Sequence, residues 1–333
     1  MNYSLEQEKK RNHNAGFKAV DDVTRILHEI NYVPLLYTAK NSNRICRNVM
    51  TLYRILRLFF VINKDDVCFL QWPLLSNSKI ILYLVLRYRC RHLQLLIHDL
   101  TSLRYDEINW VEGRFLEMSE LIIAHTPAMK DVLVSKGIDK SKVVVLTCFD
   151  YLIKDQTHAN KALSNNVVFA GNLEKSLFLK SIPLYPDLHK VSFLCYGKEV
   201  EGLRFPLLYK GLFEPECVSN IQGSWGLVWD GNSVETCKGE LGEYLKINAP
   251  HKFSLYIVAG LPLIVWEQSA LAYYVKEKGI GITIGSLIEL PQKLSKIGEK
   301  QYEQILFNLE KERKILISGG HLKSLLSNNN SVG

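Results

Sequence analysis

The chain has 333 residues, 47% of them hydrophobic and 23% charged, and 41 Lys and Arg against 34 Asp and Glu leave a net charge of +7. This length favours two domains, and a composition near the globular average excludes a disordered or fibrous chain. No uncharged apolar run reaches the roughly 18 residues of a spanning helix, and the polar start MNYSLEQEKKRNHN does not read as a secretory leader, so any membrane contact is expected to be peripheral.

In chain order, Asn14-Ala15-Gly16-Phe17-Lys18 reads as a glycine turn leading into a helix opened by Asp21 and Asp22. Apolar runs at 33–37, 66–71, 93–98, 121–125 and 143–146 read as short buried strands, each followed by a polar or helical stretch. A polar, aperiodic segment at 154–166 reads as a linker. A second set of strands follows at 167–170, 191–196, 225–229, 263–266 and 281–284, and 301–316 reads as a charged helix before a frayed tail, SNNNSVG. Alternating strands and helices predict an α/β protein with two doubly wound, Rossmann-like domains, 1–153 and 154–333, facing a central cleft at the strands' carboxyl ends.

Seven cysteines, at 46, 68, 90, 148, 195, 217 and 237, form no C-x-x-C pair and read as reduced thiols of a cytoplasmic protein. The charge is uneven: nine basic residues between Arg44 and Arg91 face only Asp65 and Asp66, which equals the whole excess. Within that stretch, 44–63 places residues 45, 49, 52, 55, 56 and 59 on one helical stripe among Arg44, Arg47, Arg54 and Arg57. An anionic membrane surface and an ordinary helix packed on the sheet explain it equally well. The stretch carries no RNA-recognition, KH or cold-shock signature, so no nucleic-acid partner is expected.

The segment 225–266 carries the most chemistry. It begins as a strand ending at Asp230-Gly231 and enters a helix with Asn248 as N-cap and Pro250 in the first turn. Gly260 ends the helix and Pro262 starts the next strand. His251 and Lys252 then sit where free N–H groups and the helix dipole favour an anion; Lys252 either meets a diphosphate or points to water. The turn FAGNLEK offers Gly171 for close backbone approach, with Asn172 and Lys175 in reach of a phosphate or base.

His98 and Asp99 follow the strand run LQLLI, where Asp99 is either a general base or a cap, and His125 ends the next strand as an acid–base candidate or a bonded turn histidine. There is no P-loop, no G-x-G-x-x-G and no D-x-D, so no metal and no cofactor are expected. Glu235 and Glu243, eight apart, precede the helix and are set aside as an accidental carboxylate pair.

The runs NAGFKA (14–19), LLIHDL (95–100), FDYL (149–152), FAGNL (169–173), WDGNSVETC (229–237) and EYLKINAPHKFSLYIVAGLPLIVW closely resemble the bacterial β-1,6-galactofuranosyltransferases of O-antigen and capsule assembly. More distantly, they resemble the glucosyltransferases that extend glycans on streptococcal serine-rich adhesins. The resemblance implies a GT-B fold and an inverting, metal-independent transferase, with a UDP-sugar donor held by the C-terminal half. Carried over by position, it implies donor contacts for Lys175, Tyr209 and Lys252, and for Gly16 in an N-terminal loop that closes on the donor. Phe17 shares that loop, and the candidate donor set also takes in Gly171, Asn172, Asp230 and His251. Where the relatives begin with an apolar strand, MNYSLEQEKK has at most a degraded one.

Asp99 is the candidate base, with His98 and His125 beside it in the candidate catalytic set. The resemblance favours galactofuranose over glucose as the sugar and implies a glycan acceptor carried on lipid at the inner face of the membrane. Self-association stays open. The alternative from another class is a non-catalytic nucleotide- or RNA-binding protein.

Overall fold

The computed structural model describes residues 1–8, 15–74, 78–105, 109–154 and 161–330. The chain divides into two compact units, Met1–Leu146 with Leu325–Gly333, and Thr147–Ser324. Among the described residues each unit carries one six-stranded, all-parallel sheet.

The first unit runs β1 (Asn2–Glu6), α1 (Ala15–Glu29), β2 (Val33–Leu36), α2 (Arg44–Val61), β3 (Val67–Trp72), α3 (Lys79–Arg89) and β4 (His92–Ile97). It continues through α4 (Thr101–Arg104), α5 (Trp110–Met118), β5 (Leu121–Ala124), α6 (Pro127–Ser135) and β6 (Val143–Val145). The strand order β2-β1-β3-β4-β5-β6 puts the topological switch between β1 and β3, where ligands of such sheets bind at the carboxyl edge. Right-handed crossovers set α2 and α3 on the face opposite α1, and the two pack together.

The expectation of a degraded first strand is corrected here. β1 is central, with Tyr3 opposite both Val33 and Cys68. Only Tyr3 and Leu5 bring apolar side chains to it, so main-chain ladders on both edges define this strand more than its own hydrophobicity does. The N-terminal ammonium lies 2.6 Å from Asp66 Oδ1. The glycine turn before α1 is also corrected: the helix already begins at Ala15, so Gly16 and Phe17 lie in its first turn and Asp21 and Asp22 in its second. Asn14 falls outside the described residues. Lys18 and Asp22, four apart and both buried, form an ion pair within α1.

The second unit runs β7 (Asn166–Ala170), α7 (Phe178–Ser181), β8 (Ser192–Tyr196), β9 (Leu207–Gly211), β10 (Trp225–Val228), α8 (Glu240–Tyr244) and α9 (His251–Val258). It continues with β11 (Leu263–Trp266), α10 (Ala272–Lys278), β12 (Gly281–Ile284), α11 (Leu290–Ser295), α12 (Glu299–Ile317) and α13 (Gly320–Asn330), whose end from Leu325 belongs to the first unit. The order β12-β11-β10-β7-β8-β9 places its switch between β7 and β10. One continuous core, rich in Phe, Trp, Ile, Leu and Val from both faces of this sheet, holds the unit together.

The boundary lies earlier than the linker pattern suggests, because the chain from Thr147 is bonded into the second unit before the polar segment starts. Ser254 Oγ donates to the Phe149 carbonyl (2.6 Å), Tyr151 Oη to that of Pro215 (2.8 Å), and Asp150 accepts the N–H groups of His321 (3.1 Å) and Leu322 (2.8 Å). Asp150 thus supplies from a distance the carboxylate that the first turn of α13 needs. Residues 155–160 of the expected linker and 331–333 of the expected frayed tail lie outside the described residues; the tail is helical as far as Asn330.

Candidate active site

In the second unit, parallel β7 and β10 end side by side at the switch point, and α9 starts just beyond β10. The Lys252 ammonium points to that place. It donates to Asp230 Oδ1 (2.8 Å) and to the Trp229 carbonyl (3.0 Å), and lies 4.8 Å from the centre of the Phe169 ring. A cation in the first turn of a helix opposes the dipole, and here Asp230 neutralises it, an answer the sequence reading did not contain. These contacts use two of the ammonium's three N–H donors.

The first turn differs from expectation. The N-cap is Pro250, with no side-chain cap, and Asn248 lies outside the helix with its Oδ1 buried and without a hydrogen-bond partner among the described residues. The His251 ring stacks on Tyr151 at 4.9 Å between centroids. At the end of β11 and in the following turn, Trp266 Nε1 and Ser269 Oγ are likewise buried without a partner among the described residues, and Ala270 N–H bonds the Leu245 carbonyl (2.9 Å), tying this turn to the one that carries Asn248. Buried polar atoms without partners are rare, and these three fall in two joined turns. Asn248, Trp266 and Ser269 carry no sequence signal as site candidates, since only burial distinguishes them from ordinary turn and core residues.

Two glycines shape this edge. A Cβ on Gly197 would lie 2.2 Å from the Gly171 carbonyl oxygen, so the turns after β7 and β8 touch backbone to backbone. Gly231 has φ of 107°, and a Cβ there would lie 2.3 Å from the Lys238 carbonyl oxygen, closing the loop after Asp230 on itself. Asn172 Oδ1 accepts the Lys175 N–H (3.1 Å), and the Lys175 side chain reaches solvent. Tyr209 on β9 donates its hydroxyl to the Gly197 carbonyl (3.1 Å). Gly171, Asn172, Asp230, His251 and Lys252 all fall at the carboxyl edge of this one sheet. Glu235 is bonded by Tyr185 and Ser233, and Glu243 by Lys246, so neither turns toward that edge as a free carboxylate.

In the first unit, the switch between β1 and β3 opens into a cavity of about 230 Å³ lined by Leu5, Glu6, Phe17, Asp21, Thr24 and Gln71, among others. Gln71 donates to Thr24 Oγ1 (3.1 Å) and its Oε1 lies 2.8 Å from His98 Nε2, so His98 stands directly behind the cavity wall. Asp99 follows, with Oδ2 receiving an N–H from Arg104 (2.6 Å) and Oδ1 buried without a hydrogen-bond partner among the described residues. Buried Glu112 braces this corner by accepting from Trp72 Nε1 (3.0 Å) and from the Thr101 and Ser102 N–H groups (3.2 Å each). It had no sequence signal, being one of two acids in an otherwise ordinary helix.

His125 is closed to solvent, and its Nε2 lies 2.7 Å from the Ile97 carbonyl. Burial pushes its pKa down to about 4, so the ring is neutral at neutral pH. The structure thus gives His125 the place of a bonded turn histidine; Phe17 lines the cavity of the first unit with Gly16 before it on α1, whereas the other candidate donor residues belong to the second unit.

Two doubly wound parallel sheets, each with polar side chains gathered at its carboxyl edge, make up the GT-B architecture. HepE of Anabaena, solved with UDP and glucose, shares this fold at a TM-score of 0.61 and 11% identity, covering 99% of each chain. Descriptions of the glucosyltransferase 3-like N-terminal and C-terminal domains match residues 2–148 and 167–329, and the chain belongs to that family. It is 29% identical to the β-1,6-galactofuranosyltransferase WbbI of Escherichia coli K12 over 94% of this chain and 93% of that protein. It is 24% identical to glucosyltransferase 3 of Streptococcus gordonii over 69% of this chain and 68% of the relative.

Proposed function

We propose that this glycosyltransferase moves galactofuranose from UDP-galactofuranose to a glycan acceptor, with inversion and without a metal. The observation that carries the sugar assignment is the end-to-end similarity to the Escherichia coli galactofuranosyltransferase, against a shorter match to the streptococcal glucosyltransferase. Supporting a donor site in the second unit are Lys252, with one N–H to spare, the exposed Lys175, and the three partnerless polar atoms of Asn248, Trp266 and Ser269. Lysines suit the diphosphate and the partnerless atoms suit sugar hydroxyls. With no D-x-D in the chain, positive side chains and backbone N–H groups take the charge a metal would otherwise neutralise.

In the reaction, the acceptor hydroxyl oxygen bonds to the anomeric carbon as the bond from that carbon to UDP breaks. UDP leaves with the electron pair, and the hydroxyl proton passes to a carboxylate, for which we propose Asp99, held by Arg104 and with an unused lone-pair site on Oδ1. Attack from the face opposite the leaving group turns an α-linked donor into a β product. Supplying the protein with UDP-galactofuranose, UDP-glucose and UDP-galactose in turn, with EDTA present, tests the reading. Turnover of the first well above the others is expected, and preference for UDP-glucose would replace the sugar assignment.

A further inference from the structure

Between β2 and β4, α2 and α3 contain seven basic residues and no acid. On a helix of 100° per residue, Ile45, Val49, Leu52, Leu56 and Phe60 fall within about 80° of one another, while Thr51, Ile55 and Leu58 occupy a second arc centred roughly 130° away. The second arc is the buried one; the first is exposed, Ile45 by 74% and Phe60 by 82%. Of the stripe read from sequence, only Ile55 turns into the core. α3 repeats the pattern, with Leu82, Val85 and Leu86 buried and Ile80, Leu84 and Tyr88 exposed. The two helices pack together, with Arg89 donating to the Ile62 carbonyl (3.1 Å) and lying 5.1 Å from the Phe59 ring.

An exposed apolar layer on two adjacent helices far exceeds the scattered surface hydrophobics of an ordinary monomer. Its charge tells what covers it. Arg57 flanks the stripe on α2 and Arg87 that on α3, while Arg44, Arg47 and Arg91 are also exposed, and none of the five has an ion-pair partner among the described residues. Arg54 is different, since it is tied to Glu8 (2.6 Å) and the Thr38 carbonyl.

We propose that the α2–α3 face docks on an anionic lipid surface, its apolar residues entering the headgroup boundary and its arginines meeting lipid phosphates. A second copy of this chain would set two acid-free basic helix pairs against each other, and a nucleic acid would leave the apolar layer wet, whereas an anionic bilayer satisfies both features. No described helix is long and apolar enough to cross a membrane, so the contact is with the surface. The proposal rests on this surface alone and stands or falls independently of the sugar transferred.

The test is co-sedimentation of the full chain with vesicles of phosphatidylglycerol and phosphatidylethanolamine, and with phosphatidylcholine vesicles, at low and high salt. Each arginine near an anionic surface raises partitioning about fivefold, so Arg57→Glu with Arg87→Glu should lower binding at least about 25-fold, and high salt should weaken the wild type. Ile45→Ser with Phe60→Ser should reduce binding at either salt level. All four positions are exposed, and an unchanged unfolding midpoint verifies that each variant folds. No sedimentation of wild type with anionic vesicles at low salt, binding untouched by the charge reversal, or lipid-free self-association abolished by the same substitutions would each overturn the proposal.

Discussion

The two units share a doubly wound parallel sheet but use its carboxyl edge differently. In the second unit several polar side chains are held in place, Lys252 by Asp230, Tyr209 by the Gly197 carbonyl and Asn172 by the Lys175 amide, beside the buried polar atoms of Asn248, Trp266 and Ser269 that have no partner among the described residues. The first unit leaves the corresponding place open as a cavity, and leaves eleven large apolar side chains of α2 and α3 exposed. Topology supplies a crevice at each switch point, and side chains decide whether it is a rigid mould or an open pocket. A rigid set suits a diphosphate of fixed shape, because preorganised donors lose little on binding. An open, partly uncovered unit suits a variable or surface-bound partner.

The largest effect expected from breaking this division is on turnover. Asp99→Asn should lower it by about 10²- to 10⁴-fold, the usual range for a lost general base, while UDP affinity in the other unit stays within about twofold. Single-turnover rates and UDP titration of the same preparation read both. Wild-type-like turnover would move the role, and Asp21, the exposed carboxylate lining the cavity, would be the next to substitute.

Rigidity of the second unit is sharpened by Gly231→Ala. The added Cβ meets the Lys238 carbonyl, and φ of 107° is itself unfavourable for alanine, so a loss of about 3 kcal/mol is expected. Three of the five tryptophans, Trp225, Trp229 and Trp266, lie in this unit, so tryptophan fluorescence in a urea titration, with Trp72 and Trp110 of the first unit replaced by Phe, reports on it. An unmoved midpoint would show that the loop after Asp230 tolerates rearrangement.

In the first unit, His125 makes stability depend on pH. Its folded pKa of about 4 lies below the ordinary 6.5, so the unfolded chain binds a proton that the folded unit refuses between those values. Stability is therefore fully present above about pH 6.5 and falls as the pH drops toward 4, by a total on the order of 3 kcal/mol. His125→Gln should flatten that slope between about pH 6.5 and 5, measured by denaturant unfolding at each pH; an unchanged slope would mean the ring is not held neutral. The smallest effect expected is at the sugar end. Asn248→Ala should weaken the UDP-sugar about fivefold, one hydrogen bond's worth, and leave UDP itself unaffected by competition titration.

Most strands were legible because a sheet covered on both faces demands apolar runs such as Leu95–Ile97 and Leu263–Trp266. β1 was not, because its place between two neighbours does what its two apolar residues do not, and neither was edge strand β9, whose Leu208 and Tyr209 stay exposed. Within the site, Lys252 and Asp230 stood out at a strand end and a helix start, but their mutual pairing is a contact across 22 positions that no local pattern encodes. Asn248 was read as a cap because the cap residue is ordinarily a polar one, and here Pro250 takes that place.

Calorimetric titration of UDP in EDTA tests most directly whether the second unit holds a nucleoside diphosphate through Lys252. Wild type should bind one UDP per chain, and Lys252→Ala should weaken it by about 1.5 to 3 kcal/mol, the range for a hydrogen bond to a charged group, while remaining folded by circular dichroism. Equal affinity in the folded variant would contradict the claim and reduce Lys252 to an internal partner of Asp230.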